Sequence, residues 1–228
     1  MLHNLSVLKD SAIRGMLAVV ATTFLLLADV SCTSKLVKQE KFVESKDETE
    51  NIAKIKASKL EKESVINPYG IPPSPGMTIT KAEITAVDRS GKDRMDNALI
   101  CLARTIYWEA KGTDKTEMHA VANVVMNRLG HKGFPDTVCG IVKQGHGEKA
   151  CQFSWWCNGL PDSAQEQKSY EVAKEIARKA LNRQLNDLTG GALYFHSKGV
   201  TPKWSKKYIR TAIFGRLEFY KPSGGKAK

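Results

Sequence analysis

From Asn97 to Gln184 apolar residues recur every three or four positions, and beyond Gly191 they come in short strand-like runs. That change of period constrains the fold more than any other feature of the chain. Leu99, Leu102, Ile106 and Ala110, with Ala103 and Tyr107 beside them, predict a first helix. Thr113 is placed to cap a second, whose apolar face is Met118, Val121, Ala122, Val125, Met126 and Leu129; Gly130 ends it. Asp136 is placed to cap a short third helix through Val138, Ile141 and Val142. A fourth runs from about Ser163 to Gln184, with Tyr170, Ala173, Ile176, Ala177, Ala180 and Leu181 inward. "GALYFHS" and "IRTAIFGRLEFYK" predict short strands, the second folded at Gly215. Helices followed by a few strands give a small α+β domain over residues 96–222, with 223–228 as a flexible tail.

Upstream the composition differs. In residues 33–95 Lys and Glu alternate through "KQEKFVESKDETENIAKIKASKLEKE", which permits a solvated helix but offers few apolar residues for a core. "NPYGIPPSPG", Asn67 to Gly76, breaks any helix and predicts a stiff linker. The whole region is expected to be a largely disordered tether. Residues 1–32 have the form of an export signal: Lys9 and Arg14 precede the apolar run "GMLAVVATTFLLLA". That run is shorter than the ~20 residues of a membrane-spanning helix. "ADVSC" ends on Cys32, a lipidation candidate because the stretch resembles the cleavage site of bacterial lipoproteins. An uncleaved short anchor is the alternative. The expected location is the cell envelope, periplasmic or tethered to the membrane through the N-terminal segment or a lipidated Cys32, or outside the cell as a phage lysis protein.

A formal net charge of +11 favours polyanionic partners. Residues 97–221 hold 19 Lys and Arg against 11 Asp and Glu, a net +8, so most of the charge lies in the domain. Export argues against nucleic acid and leaves anionic lipid or wall polymer. Setting Cys32 aside, Cys101, Cys139, Cys151 and Cys157 remain, an even number that allows up to two disulfides. Of three possible connectivities, Cys151 with Cys157 is the simplest local pair. With no C-x-x-C pair and scattered histidines, neither a metal site nor a cofactor is expected.

Six blocks then occur in order: "CLARTIYWEAKG", "HAVANVVMNRL", "FPDTVCGIV", "CQFSWWCNG", "TGGALYFH" and "RTAIFGRLEFY". Together they resemble the cell wall hydrolase family of the spore cortex-lytic enzymes SleB and CwlJ, over roughly the last 125 residues. The resemblance implies a lysozyme-like α+β fold and cleavage of peptidoglycan glycan strands. In the SleB branch it implies lytic transglycosylase chemistry with one catalytic glutamate. Lys111, Met118 and Leu217 stand where that family commonly has arginine, glutamine and histidine.

The glutamate is Glu109. Lying beside Tyr107 and Trp108, it is either a solvated helix end or an acid whose pKa is held up by desolvation. Hydrolysing glycosidases need a second carboxylate; Asp114, Glu117, Asp136, Glu148, Asp162 and Asp187 are available, with Asp136 and Asp162 reading better as helix caps. A transglycosylase needs none, because the C6 hydroxyl of the muramic acid attacks. For the glycan groove the resemblance points to Gln152 and Phe153; Ser154 is a hydrogen-bonding candidate beside them. Thr189, Tyr194 and His196 are candidates near the glycine turn. An inactive wall-binding lipoprotein, or a hydrolysing muramidase with two carboxylates, is the rival expectation.

Overall fold

The computed structural model describes Lys35, Gln39 and residues 45–146, 151–159 and 161–224. The chain divides into two compact units, Met1–Glu48 and Thr49–Lys228, and nearly all described residues belong to the second. The export signal, Cys32, Glu148 and residues 225–228 lie outside the described residues. Among the described residues no helix is long and apolar enough to cross a membrane.

Helix α1 enters the unit over residues 49–66, followed by α2 (Lys81–Ala86), α3 (Ala98–Ala110), α4 (Lys115–Arg128), α5 (Val138–Lys143) and α6 (Gln167–Leu181). Strands β1 (Tyr194–Ser197), β2 (Tyr208–Phe214) and β3 (Leu217–Pro222) form an antiparallel sheet in the order β1-β3-β2. The α+β class follows, mainly helical with a small C-terminal sheet. Helix α3 is the centre: Ala98 to Tyr107 and Ala110 are all buried, and it packs against α4, α5 and α6. A helix buried on every face belongs in the interior, and its buried charge, Arg104, is paired there with Asp88. Cys101 in α3 bonds to Cys139 in α5, and Cys151 bonds to Cys157 around a 3₁₀ turn at Ser154–Trp156.

The helix starts differ by one or a few residues from expectation. Asp114, not Thr113, caps α4 by accepting from the Glu117 amide (2.8 Å). Thr137, not Asp136, caps α5 by accepting from Gly140 (3.1 Å). Helix α6 begins at Gln167 with no cap from its own strand of chain. Its entry is satisfied instead by the buried Tyr107 hydroxyl, which accepts from the amides of Gln165 (3.2 Å) and Glu166 (3.0 Å). A tertiary contact thereby does the work of a local cap.

The tether expectation for residues 33–95 does not hold for residues 49–95. On α1, Ala53, Ala57 and Leu60 are fully buried, a narrow stripe at helical spacing among lysines and glutamates. Glu61 on the same helix accepts from the Val138 amide at the start of α5 (2.6 Å). Ile79 is fully buried, its amide and carbonyl both bonded to the Asn182 side chain (2.9 Å each). Asp88 is buried too, and receives Arg104 Nε (3.0 Å), Arg104 Nη2 (2.8 Å) and the Tyr170 hydroxyl (2.5 Å). The segment expected to be a linker therefore covers one side of α3 and α6. The stripe is faint in the sequence because alanine carries little hydrophobicity, but a thin stripe suffices where the helix lies on a ready-made surface.

Candidate active site

Glu109 lies in the last turn of α3, and at 100° per residue its side chain points almost opposite to Tyr107. The two aromatics before it are anchors. Tyr107 serves the entry of α6, and the Trp108 indole donates to the Asp162 carbonyl (3.0 Å) while stacking on Trp155 (6.4 Å between centroids). Lys111 Nζ lies 4.3 Å from the Trp108 ring centre and 4.0 Å from a Glu166 oxygen. The end of α3 is thus fixed on three sides.

Glu109 itself is largely buried, with an opening to solvent. Burial pushes its carboxyl up to about 7, opposed by the positive charges of Arg128 and Arg216. Desolvation is the larger effect, as for a carboxyl kept protonated for acid catalysis. Among the described residues none hydrogen-bonds to this carboxyl.

Arg128, in the last turn of α4, is 3% exposed. Its Nε donates to the Leu193 carbonyl (2.7 Å), and its guanidinium carbon lies 5.0, 5.1 and 5.5 Å from the rings of Phe134, Phe153 and Tyr194. Its Nη1 is buried without a hydrogen-bond partner. Burial draws its pKa down to about 10, with Tyr194 and Glu109 acting against that. Arg216, at the tip of the β2–β3 hairpin, is half exposed; its Nη2 donates to the Lys111 carbonyl at the end of α3 (3.4 Å), and its charge acts on the Glu109 carboxyl.

The expected groove residues divide into three groups. Tyr194 borders Arg128 and lies in an aromatic cluster on one face of the sheet, against Trp204 (5.5 Å) and Tyr208 (5.1 Å). His196 occupies the same face, stacked on Tyr220 (5.0 Å), with Nε2 buried and unpartnered. Gln152 and Ser154 are exposed. Phe153 and Thr189 do not face a groove. Phe153 is 1% exposed and forms part of the cage around Arg128. Thr189 is fully buried, its hydroxyl donating to Asp187 (2.6 Å) and accepting from the Asn127 side chain (3.2 Å). It closes the glycine turn, since Asp187 also accepts from the Gly191 amide (2.6 Å).

The other acidic candidates are mostly occupied. Asp114 caps α4, Asp187 ties the glycine turn, and Asp136 is exposed. Asp162 caps no helix; its carbonyl holds Trp108. Glu117 is 2% exposed and pairs with Arg216. Sequence reasoning missed both arginines as site residues. Arg128 had a legible signal: it continues the apolar face of Val121 and Val125, where a charge has to be there for a reason. Arg216 had none, since only the hairpin brings it to α3. Among the described residues no cluster of acidic, histidine or cysteine side chains could hold a metal.

Residues 112–220 match the family described as Cell Wall Hydrolase. Glu109 lies three residues before the matched range. The chain is similar to the spore cortex-lytic enzyme of Halalkalibacterium halodurans, at 30% identity over 120 residues, covering 50% of this chain and 32% of that one. It is also similar to the spore cortex-lytic enzyme of Bacillus cereus, at 31% identity over 111 residues, covering 47% and 38%. It therefore spans about a third of the length of these curated relatives. Among solved structures, the catalytic domain of the germination-specific lytic transglycosylase SleB from Bacillus anthracis aligns at 26% identity, covering 56% of this chain and 97% of that one, with a TM-score of 0.45.

Proposed function

We propose that this chain, which carries a cell wall hydrolase domain over residues 112–220, cuts the glycan strands of peptidoglycan with Glu109 as its acid and base. The observation that carries the reading is the Glu109 carboxyl, largely buried without a hydrogen-bond partner among the described residues, lifted to about 7 by desolvation and acted on by the charges of two arginines. In the first half of the reaction Glu109 gives its proton to the glycosidic oxygen between MurNAc and GlcNAc, and the bond from the MurNAc C1 to that oxygen breaks. In the second half the Glu109 carboxylate takes the proton of the MurNAc C6 hydroxyl, whose oxygen bonds to C1. The product is a 1,6-anhydro sugar, and Glu109 returns to its protonated form. Arg128 and Arg216 stabilise the carboxylate that exists between the two halves.

A lytic transglycosylase needs no second carboxylate, which agrees with a site where the two charges acting on Glu109 are both positive. Tyr194 and His196 on the sheet, with the exposed Gln152 and Ser154, are the saccharide contacts in this reading. The net positive charge suits an anionic wall. The cellular setting is an exported, envelope-located enzyme of wall remodelling or phage lysis. Purified peptidoglycan digested by the full chain tests it: anhydro-muropeptides are expected, absent with Glu109→Gln. Reducing ends would mean hydrolysis instead.

A further inference from the structure

The tip of the β2–β3 hairpin is joined to the helices by an ion pair of unequal exposure. Gly215 has φ 48°, and a Cβ there would run into the Glu117 carboxylate. Glu117 is in the first turn of α4, where carboxylates normally meet water, yet it is 2% exposed. Its Oε2 accepts from the Arg216 amide (3.2 Å). Its Oε1 lies 3.5 Å from Arg216 Nε, within ion-pair reach but off-line for a hydrogen bond. On its other side Arg216 Nη2 donates to the Lys111 carbonyl (3.4 Å), two residues beyond Glu109. A buried charge held only by a half-exposed partner is a poor structural fastening. A neutral side chain accepting from the same amide would hold the turn with less desolvation. What the charged pair adds is a guanidinium in a defined place at the end of α3.

We propose that Glu117 and Arg216 form a positioning pair for the Glu109 site: the buried carboxylate locks the Gly215–Arg216 turn onto α4, and the guanidinium so held is fastened to the end of α3, two residues beyond Glu109. The proposal rests on the reading of Glu109 as the acid. Both residues act through Glu109 and not on the sugar. Among the described residues, the charges acting on Glu109 are Arg128 from α4 and Arg216 from the hairpin; Lys111 lies two residues on at the end of α3, Tyr194 from β1 lies against Arg128, and Glu117 from α4 is held by Arg216. Lys111 is turned to Trp108 and Glu166, which leaves Arg216 as the adjustable positive charge. It opposes the burial that lifts the Glu109 carboxyl. Burial keeps the acid form available, and the guanidinium makes the carboxylate stable enough to form.

The test is a carboxyl-carbon NMR titration of Glu109 in the full chain, assigned by its loss in Glu109→Gln. Arg216→Gln is expected to move the midpoint up by about one pH unit, Arg216→Lys by less. Glu117→Gln is also expected to move it up, because the freed guanidinium leaves. The alkaline limb of kcat/KM should follow each shift. An unmoved midpoint in Arg216→Gln, or a fall in Glu117→Gln, overturns the proposal. Arg216→Lys keeps a cation beside the buried Glu117, so it decides the matter through its smaller upward shift even where Arg216→Gln or Glu117→Gln does not fold, and an unmoved midpoint there also overturns the proposal. Full activity in Glu109→Gln would instead sink the acid assignment, while the titration still judges the pair.

Discussion

At the scale of residues, the chemistry rests on how one carboxyl is kept out of water. Its folded pKa, about 7 against an ordinary 4.5, has a signed consequence for stability. A carboxyl raised on folding favours the folded state while protonated. The stability it supports is lost as pH rises from about 4.5 through 7. At roughly 1.4 kcal/mol for each pH unit, ionising Glu109 costs the folded protein about 3 kcal/mol. Glu109→Gln should therefore be the more stable protein at pH 8 and nearly equal to wild type at pH 4.5, as urea unfolding at the two pH values would measure. In activity, the alkaline limb of kcat/KM should fall near pH 7. Equal stability of the two proteins at pH 8 would mean that Glu109 is not desolvated. The sequence made Glu109 legible through its block. It misassigned the neighbours: Tyr107 and Trp108 read as apolar cover, but the helix turns them toward α6 and the Asp162 loop. Thr189 read as a groove residue because it lies at the glycine turn. Only the fold reveals that Asp187 and Asn127 occupy its hydroxyl.

At the scale of elements, α3 to α6 and the three strands were legible because each carries its own period. Helix α1 and the segment through Asp88 were not, because their reason for folding lies in other elements. Ala53, Ala57 and Leu60 gain nothing from a helix in water, and Asp88 needs Arg104 and Tyr170, 16 and 82 residues further on. The consequence is testable. A chain starting at Asn97 loses the partner of buried Arg104, a loss of about 3–5 kcal/mol before any apolar surface is counted. It should fail to give a cooperative thermal transition, while a chain from Thr49 should melt cooperatively. Equal melting of the two would restore the tether. Within the core, Tyr107→Phe removes the acceptor for two amides at the entry of α6 and should cost roughly 1–3 kcal/mol, read by denaturant unfolding. Activity should fall with it only as far as the end of α3 loosens.

At the scale of the whole molecule, the helical layer supplies the acid and one arginine, and the hairpin of the sheet supplies the other. Helix α3 carries Glu109, α4 brings Arg128, and the hairpin brings Arg216. Phe134, Phe153 and Tyr194, from three separate stretches of chain, close over Arg128. The Cys101–Cys139 bridge, 38 residues apart, fastens this centre to α5. Reducing it should lower stability by roughly 3–4 kcal/mol on loop-closure grounds, seen as a drop in Tm under thiol. The central claim is that one carboxyl performs both proton transfers in glycan cleavage. It is tested most directly by mass spectrometry of the soluble products that the full chain releases from purified peptidoglycan, wild type beside Glu109→Gln. The account predicts 1,6-anhydro-muropeptides from the wild type and none from the variant. Products ending in reducing MurNAc, or anhydro products from both proteins, would contradict it.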